Sequence, residues 1–279
     1  MDPASPPAPP IALCLGGMDP SGGAGLLRDA LSVAALGCHP MTVSLAETVQ
    51  NGLGCSRIEP PSLDPVLRLE SLAPHLGGRW GVKVGLCALE PTVFNRLCAA
   101  LALLAPPIRI WDPILAPSAG VGLHDGGDLN RMAKALLASG GWVVSPNRGE
   151  AAAFAGLPPG AIRAADPDRL AHPWLEAGAT AVWLKGGHAE GDQVQDLWIT
   201  PEGVEALEAS PRLPGTRRGT GCLLASTWLA FRLNGWAPQA AAVASARRLR
   251  DRWDQAWIPG GVGRALFAPD LSRSAPEPL

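Results

Sequence analysis

Ile11-Ala12-Leu13-Cys14-Leu15-Gly16 is an apolar run that stops in a glycine-rich stretch, Gly17-Met18-Asp19-Pro20-Ser21-Gly22-Gly23-Ala24-Gly25. A short apolar run bounded by glycines reads as a buried strand, and residues without a Cβ let the backbone turn tightly or approach a ligand closely. A helix is expected from about Gly23 to Leu36, stopped by Gly37, and Met41–Val49 repeats the strand pattern. The alternation continues through a helix over Leu63–Leu76, a strand over Gly81–Leu86, a helix over Thr92–Leu104 and a strand over Ile108–Trp111. A helix over Leu129–Ala138, a strand over Trp142–Ser145 and a helix from Arg148 follow. Beyond them, a helix over Asp166–Ala177 precedes a strand over Ala181–Lys185, and Val194–Thr200 with Val204–Ala209 reads as a hairpin turning at Pro201–Gly203. Helices over Cys222–Leu233 and Pro238–Arg252 close the pattern. Helices that regularly separate buried strands predict an α/β fold, a mostly parallel central sheet with helices on both faces. Ligands of such sheets bind beyond the carboxyl ends of the strands.

The bulk composition agrees with one such unit over 10–268, flanked by a Pro-rich leader over 1–9 and a tail over 269–279 that are expected to be disordered. Hydrophobic residues make up 47% of the 279, enough for a large core. A net charge of −2 offers no electrostatic footprint for nucleic acid or an anionic membrane. No run of about 18 apolar residues suggests a membrane span, and the leader lacks the basic start of a signal peptide. The six cysteines form no C-x-x-C pair and meet no histidine cluster, so neither a disulfide framework nor a zinc site is expected, and a reducing, cytoplasmic setting fits.

Four loops and one further strand end carry the chemistry. There is no G-x-x-x-x-G-K-[ST], which excludes the ordinary P-loop, and the first glycine stretch fits no dinucleotide fingerprint. Thr48-Val49-Gln50-Asn51-Gly52 ends a strand; Asn-Gly is a turn signal, while Gln50 carries a donor and an acceptor suited to a heteroaromatic edge. Ser145-Pro146-Asn147-Arg148-Gly149-Glu150 reads as a capping arrangement, and the same two side chains can serve Mg²⁺ directly or through water. Lys185-Gly186-Gly187-His188 ends a strand with a lysine able to reach a phosphate. The most informative is Arg217-Arg218-Gly219-Thr220-Gly221-Cys222 before an apolar helix: successive N–H groups at a helix start form an anion site, and a thiol there tends toward a lowered pKa and could take a proton from an attacking hydroxyl. A glycine N-cap beside a packed cysteine accounts for that segment equally well.

Taken in order, GGMDPSGGAGLLRDALSVAALGCHPMTVSLAETVQN, VKVGL, DPIL, SPNRGEAAAFAGLP, WLKGGHAEGDQVQDLW and RRGTGCLLASTWLA closely resemble the hydroxymethylpyrimidine/phosphomethylpyrimidine kinases of thiamine biosynthesis, members of the ribokinase-like superfamily, over about 11–250. The resemblance implies two successive ATP-dependent phosphorylations, of the pyrimidine alcohol and then of its monophosphate, with ATP and Mg²⁺ as cofactors and a homodimer as the assembly. It places the ring-binding residues on Gln50 and Asp29, with Gly17 and Leu86 lining the pocket. It places the catalytic cysteine on Cys222, the anion hole on Gly219, Thr220 and Gly221, and the nucleotide and Mg²⁺ side on Asn147, Glu150, Lys185 and Asp112. The chain departs from the family pattern at Leu86, where a methionine is usual, and at Arg218, where a histidine is usual and an extra cation is expected beside the phosphates. It also departs in the 113–120 loop and in WDQAWIPGGVGRALF after Arg252, which lacks a histidine. Two other readings stand beside this one: a pyridoxine/pyridoxal kinase, and a non-catalytic relative that binds a pyrimidine.

Overall fold

A computed structural model describes residues 8–115, 126–158, 166–188 and 191–270. Residues 1–7 of the expected leader, 271–279 of the expected tail, most of the 113–120 loop and the His188 side chain lie outside the described residues. The strands in the first half are β1 (Ile11–Met18), β2 (His39–Gln50), β3 (Cys55–Glu59), β4 (Trp80–Val84), β5 (Arg109–Trp111) and β6 (Trp142–Val144). Those in the second half are β7 (Ala181–Leu184), β8 (Gln193–Val194), β9 (Leu197–Thr200), β10 (Gly203–Ala206), β11 (Ser210–Pro211), β12 (Arg217–Arg218) and β13 (Ala265–Leu266). The helices are α1 (Gly25–Ala34), α2 (Pro65–Leu72), α3 (Pro91–Leu104), α4 (Gly126–Leu137), α5 (Arg148–Phe154), α6 (Pro167–Glu176), α7 (Thr220–Leu233) and α8 (Pro238–Asp251).

One nine-stranded sheet runs in the order β10-β9-β7-β6-β5-β4-β1-β2-β3. Its centre, from β7 to β2, is parallel, and antiparallel pairs close both edges. Side chains alternate between two buried clusters, as a two-residue period requires. Leu13 and Leu15 of β1, Trp111, Val144 and Val182 face one cluster, where α2 to α6 supply Leu69, Leu97, Leu136, Ala151 and Trp174. Ala12 and Cys14, Ile110, Val143 and Trp183 face the other, where α1, α7 and α8 supply Val33, Trp228 and Ala241. The chain leaves β1 toward β2 on one side and β4 toward β5 on the other, so a topological switch lies between β1 and β4.

Two local differences from the sequence reading have physical causes. Strand β3 was not expected, because Cys-Ser-Arg-Ile-Glu shows no clean alternation. It forms because Asn51 Oδ1 accepts from the backbone N–H of Leu53 at 2.8 Å and of Gly54 at 3.3 Å and folds the chain back onto β2. The helix expected over 63–76 divides into α2, capped by Asp64 accepting from Val66 N–H, and a 3₁₀ turn over Ala73–His75. Pro74, which has no N–H to donate, sits at that division.

Candidate active site

Every candidate residue named from the sequence lines one cavity of about 560 Å³ at the carboxyl ends of the central strands. One wing is built on β1, β2 and α1. The register of β1 shifts between Gly16 and Gly17, and Gly17 packs against Leu86: a Cβ on Gly17 would come within 2.8 Å of the leucine Cδ2. Gly25, at φ 61°, starts α1 with its Cα so close to Gly17 that a Cβ would lie 2.2 Å from the Gly17 carbonyl oxygen. Gln50 is half-buried at the end of β2 and donates from Nε2 to Asp19 Oδ2 at 3.4 Å.

Asp29 lies in the cavity wall but is fully buried, and Lys83 Nζ of β4 meets its Oδ2 at 2.6 Å. Burial pulls the Lys83 ammonium down, but Asp29 and the other acidic neighbours more than offset it, so its pKa ends raised, while burial pushes the Asp29 carboxyl up against the pull of Lys83. Asp29 Oδ1 remains buried without a hydrogen-bond partner. One carboxylate oxygen is thus taken by a lysine the sequence reading had not assigned a role, and the other has no hydrogen bond. Lys83 was legible only as a lone charge inside the apolar strand GVKVGL.

The anion site forms where β12 runs into α7. Gly219 is the α7 N-cap at φ 73°, and a Cβ there would lie 2.1 Å from the Gly23 carbonyl oxygen, so only glycine fits this close approach to the first glycine loop. The Leu223 N–H bonds back to Gly219 O at 2.9 Å, so the amides of Thr220, Gly221 and Cys222 precede the first closed turn and are free of intrahelical partners, which moves the anion hole expected at 219–221 on by one residue. Strand β12 is held by parallel pairing to β13, Arg217 opposite Ala265 and Arg218 opposite Leu266. Arg28 of α1 ties the Phe267 and Gly22 carbonyls together, which pins this segment to the glycine loop.

Two expectations about this turn are corrected. The Cys222 thiol is pushed up to about 11, not lowered: burial dominates, and it prevails over the opposing pull of Lys83, with Asp29 and Asp112 adding to it and a Gly25 backbone hydrogen bond opposing. It is a neutral thiol at pH 7, able to orient a hydroxyl but not to wait as a thiolate. Arg218 is not an extra cation at the phosphates. It is buried, and its Nη2 donates to Asp19 Oδ2 at 2.8 Å.

The other wing gathers at β5, β6 and β7. Lys185 Nζ meets Asp112 Oδ1 at 2.7 Å, and the pair lies directly against Gly221, where a Cβ would be 3.5 Å from the ammonium and 3.4 Å from Asp112 Oδ2. Burial pulls Lys185 down, but Asp112 and Glu150 hold its pKa raised. Asn147 and Glu150 form a reciprocal capping box on α5, Asn147 Oδ1 accepting from Glu150 N–H at 3.0 Å and Glu150 Oε2 accepting from Asn147 N–H at 2.8 Å. Glu150 is raised to about 7, by burial above all, with Lys185 opposing and Asp112 adding. Among the described residues no group of three or more His, Cys, Asp or Glu side chains converges as a ready-made metal cage. The buried, unpartnered Asp112 Oδ2 and the proton-hungry Glu150 do fit a cation that keeps most of its shell as water and phosphate oxygens, as Mg²⁺ does.

A sheet of this topology, with a glycine-rich helix start, lysines and carboxylates lining one cavity, defines a small-molecule kinase of ribokinase-like fold. The phosphomethylpyrimidine kinase family model matches residues 19–257. The chain belongs to that family. It is 30% identical to the hydroxymethylpyrimidine/phosphomethylpyrimidine kinase of Rhizobium meliloti over 246 residues, covering 85% of this chain and 87% of the relative. Its fold matches the pyridoxal kinase of Staphylococcus aureus in complex with AMP-PCP and pyridoxal (TM-score 0.78, 21% identity, 94% of each chain). It also matches the phosphomethylpyrimidine kinase of Clostridium difficile 630 (TM-score 0.70, 22% identity, 87% of this chain and 98% of the other).

Proposed function

We propose that the chain moves the γ-phosphoryl group of ATP onto the hydroxymethyl oxygen of 4-amino-5-hydroxymethyl-2-methylpyrimidine, and then onto the monophosphate, to give the diphosphate used in thiamine biosynthesis. The observation that carries this reading is that Gln50 and the amides of 220–222 line the same cavity. Gln50 takes the ring edge through its paired donor and acceptor. The three amides and Lys185 face the transferring group, whose charge grows on its equatorial oxygens. Cys222, neutral, aligns the alcohol. A loose phosphoryl transfer places little demand on a base before the bond to phosphorus forms. Asp112 and Glu150 would hold Mg²⁺, which when bound neutralises charge on the ATP phosphates. Asn147 supports Glu150 through the capping box.

Steady-state kinetics with the pyrimidine alcohol, its monophosphate and pyridoxal as competing acceptors test the reading. A kcat/KM for pyridoxal above that for the pyrimidine alcohol rejects it. The reading extends to a cytoplasmic homodimer. Among the described residues no helix is long and apolar enough to cross a membrane, and the exposed Val49, Leu53, Trp257 and Val262 offer an apolar surface for a second copy. A monomer in sedimentation equilibrium at micromolar concentration rejects that part alone.

A further inference from the structure

The carboxylate of Asp19, only 2% exposed, collects donors from three parts of the molecule. From its own loop it accepts the Ser21 N–H at 2.9 Å, the Ser21 hydroxyl at 2.7 Å and the Ala24 N–H at 2.9 Å. From the end of β2 it accepts Gln50 Nε2 at 3.4 Å, and from β12 it accepts Arg218 Nη2 at 2.8 Å. The guanidinium also donates to Ser21 Oγ at 3.2 Å and lies flat enough on the loop that a Cβ at Gly23 would be 3.5 Å from its Cζ. One residue further along, Gly219 opens the anion turn in van der Waals contact with that same Gly23.

We propose that Asp19 and Arg218 form a positioning pair for the transfer reaction. Arg218, its charge spent on Asp19 and its surface buried, fixes the distance between the ring-binding loop and the amides at 220–222 rather than touching a phosphate. Asp19 also sets which way round the Gln50 amide sits. With Nε2 turned toward the carboxylate, Oε1 is left to accept from the substrate, so the pocket favours a ring that presents an N–H donor, such as an exocyclic amino group, beside a ring nitrogen. A ring that presents only acceptors there leaves Oε1 unmet, and an unmet buried acceptor is costly. The inference rests on the proposed phosphorylation of an aminopyrimidine alcohol.

Substitutions at Arg218, Asp19 and Gln50 in the full chain test it, with circular dichroism and melting temperature recorded for each. Arg218→Met is expected to lower kcat about 100-fold, the scale of a 1 Å misplacement of reacting groups, while KM for the alcohol and for ATP changes by less than about threefold. Arg218→Lys keeps the charge but not the two-pronged reach, and is expected to recover about tenfold of that loss. Asp19→Asn is expected to raise the Kd for the pyrimidine, read by calorimetry without ATP, about tenfold, one hydrogen bond's worth. That rise should vanish when Gln50 is already alanine.

A higher KM for ATP with unchanged kcat in Arg218→Met assigns the guanidinium to a phosphate and overturns the proposal, as does a lowered melting temperature with normal kinetics. Should Arg218→Met fail to fold, Arg218→Lys carries the same judgement: unchanged kcat in that variant rejects the pair. Additive effects of Asp19→Asn and Gln50→Ala on Kd reject the amide-orienting role. A wild-type protein that turns over no pyrimidine alcohol fails the proposed function instead, and the calorimetric comparison still reads the Asp19–Gln50 link.

Discussion

The two wings of the cavity differ in how much charge they leave unpaired. On the ring side, Lys83 with Asp29 and Arg218 with Asp19 are buried pairs at 2.6 and 2.8 Å, and Asp29 Oδ1 is the one carboxylate oxygen of the two pairs left buried without a hydrogen bond. On the phosphate side, more charge is left over. Asp112 gives one oxygen to Lys185 and keeps the other buried and unpartnered, and Glu150 is pushed up toward neutrality by its surroundings. A neutral ring needs a pocket of fixed shape, and paired charges supply rigidity without a field. A nucleotide with its cation brings its own charges, so the apo protein holds complementary groups in a state that a ligand relieves.

The contrast can be broken most severely at the closed wing. Asp29→Ala leaves a buried ammonium without a counterion and should cost about 3–5 kcal/mol of stability, visible as a shifted urea midpoint. A shift below about 1 kcal/mol would show that water reaches Lys83 and that the wing is not closed. Next in size is the junction between the wings. Gly219→Ala forces a side chain into the Gly23 carbonyl and turns the amides, and should lower kcat roughly 10²–10³-fold, the scale of losing one oxyanion donor.

Cys222→Ala should lower kcat about 10-fold or somewhat more and leave ring affinity nearly unchanged, since the amides remain. Because the thiol titrates only near 11, the wild-type rate should show no inflection between pH 6 and 9 that the alanine variant lacks. Such an inflection would restore the thiolate as base.

The smallest effect belongs to the open wing and has the opposite sign for stability. Glu150 has a raised folded-state pKa, about 7 against an ordinary 4.5, so the folded protein binds the proton more tightly than the unfolded one. Stability therefore falls as pH climbs through that window. Glu150→Gln keeps the capping geometry and should raise the apo melting temperature by about 2–4 °C at pH 8, converging with wild type near pH 4, while activity drops. Equal melting temperatures at pH 8 would mean the open wing carries no strain.

The sequence made the sheet legible because its strands are apolar, short and punctuated by glycine, and because helices separate them at regular intervals. The twelve candidate residues were legible through the order and spacing of the segments that carry the family resemblance, and they do converge on one cavity. What stayed hidden was pairing at long range. Asp29 meets a lysine 54 positions away and Asp19 an arginine 199 positions away, and no local pattern announces either. The thiol was misjudged for a related reason. A helix start argues for a lowered pKa, but how deeply α1 covers Cys222 depends on tertiary packing, and burial prevailed. Strand β3 was missed because a turn side chain, Asn51, creates it.

The pairing of β12 with β13 has a consequence for how the protein comes into being. The turn that carries residues 219–221 is braced by Ala265 and Leu266 and by the grip of Arg28 on Phe267, all made more than forty residues later in synthesis. A ribosome-bound chain that has emerged only as far as Cys222 already contains every proposed contact residue, yet it lacks the rest of α7, all of α8 and the brace. Competence for the reaction should therefore switch on late in translation, and a release assay on stalled nascent chains would see nothing until the segment around 265–267 clears the exit tunnel.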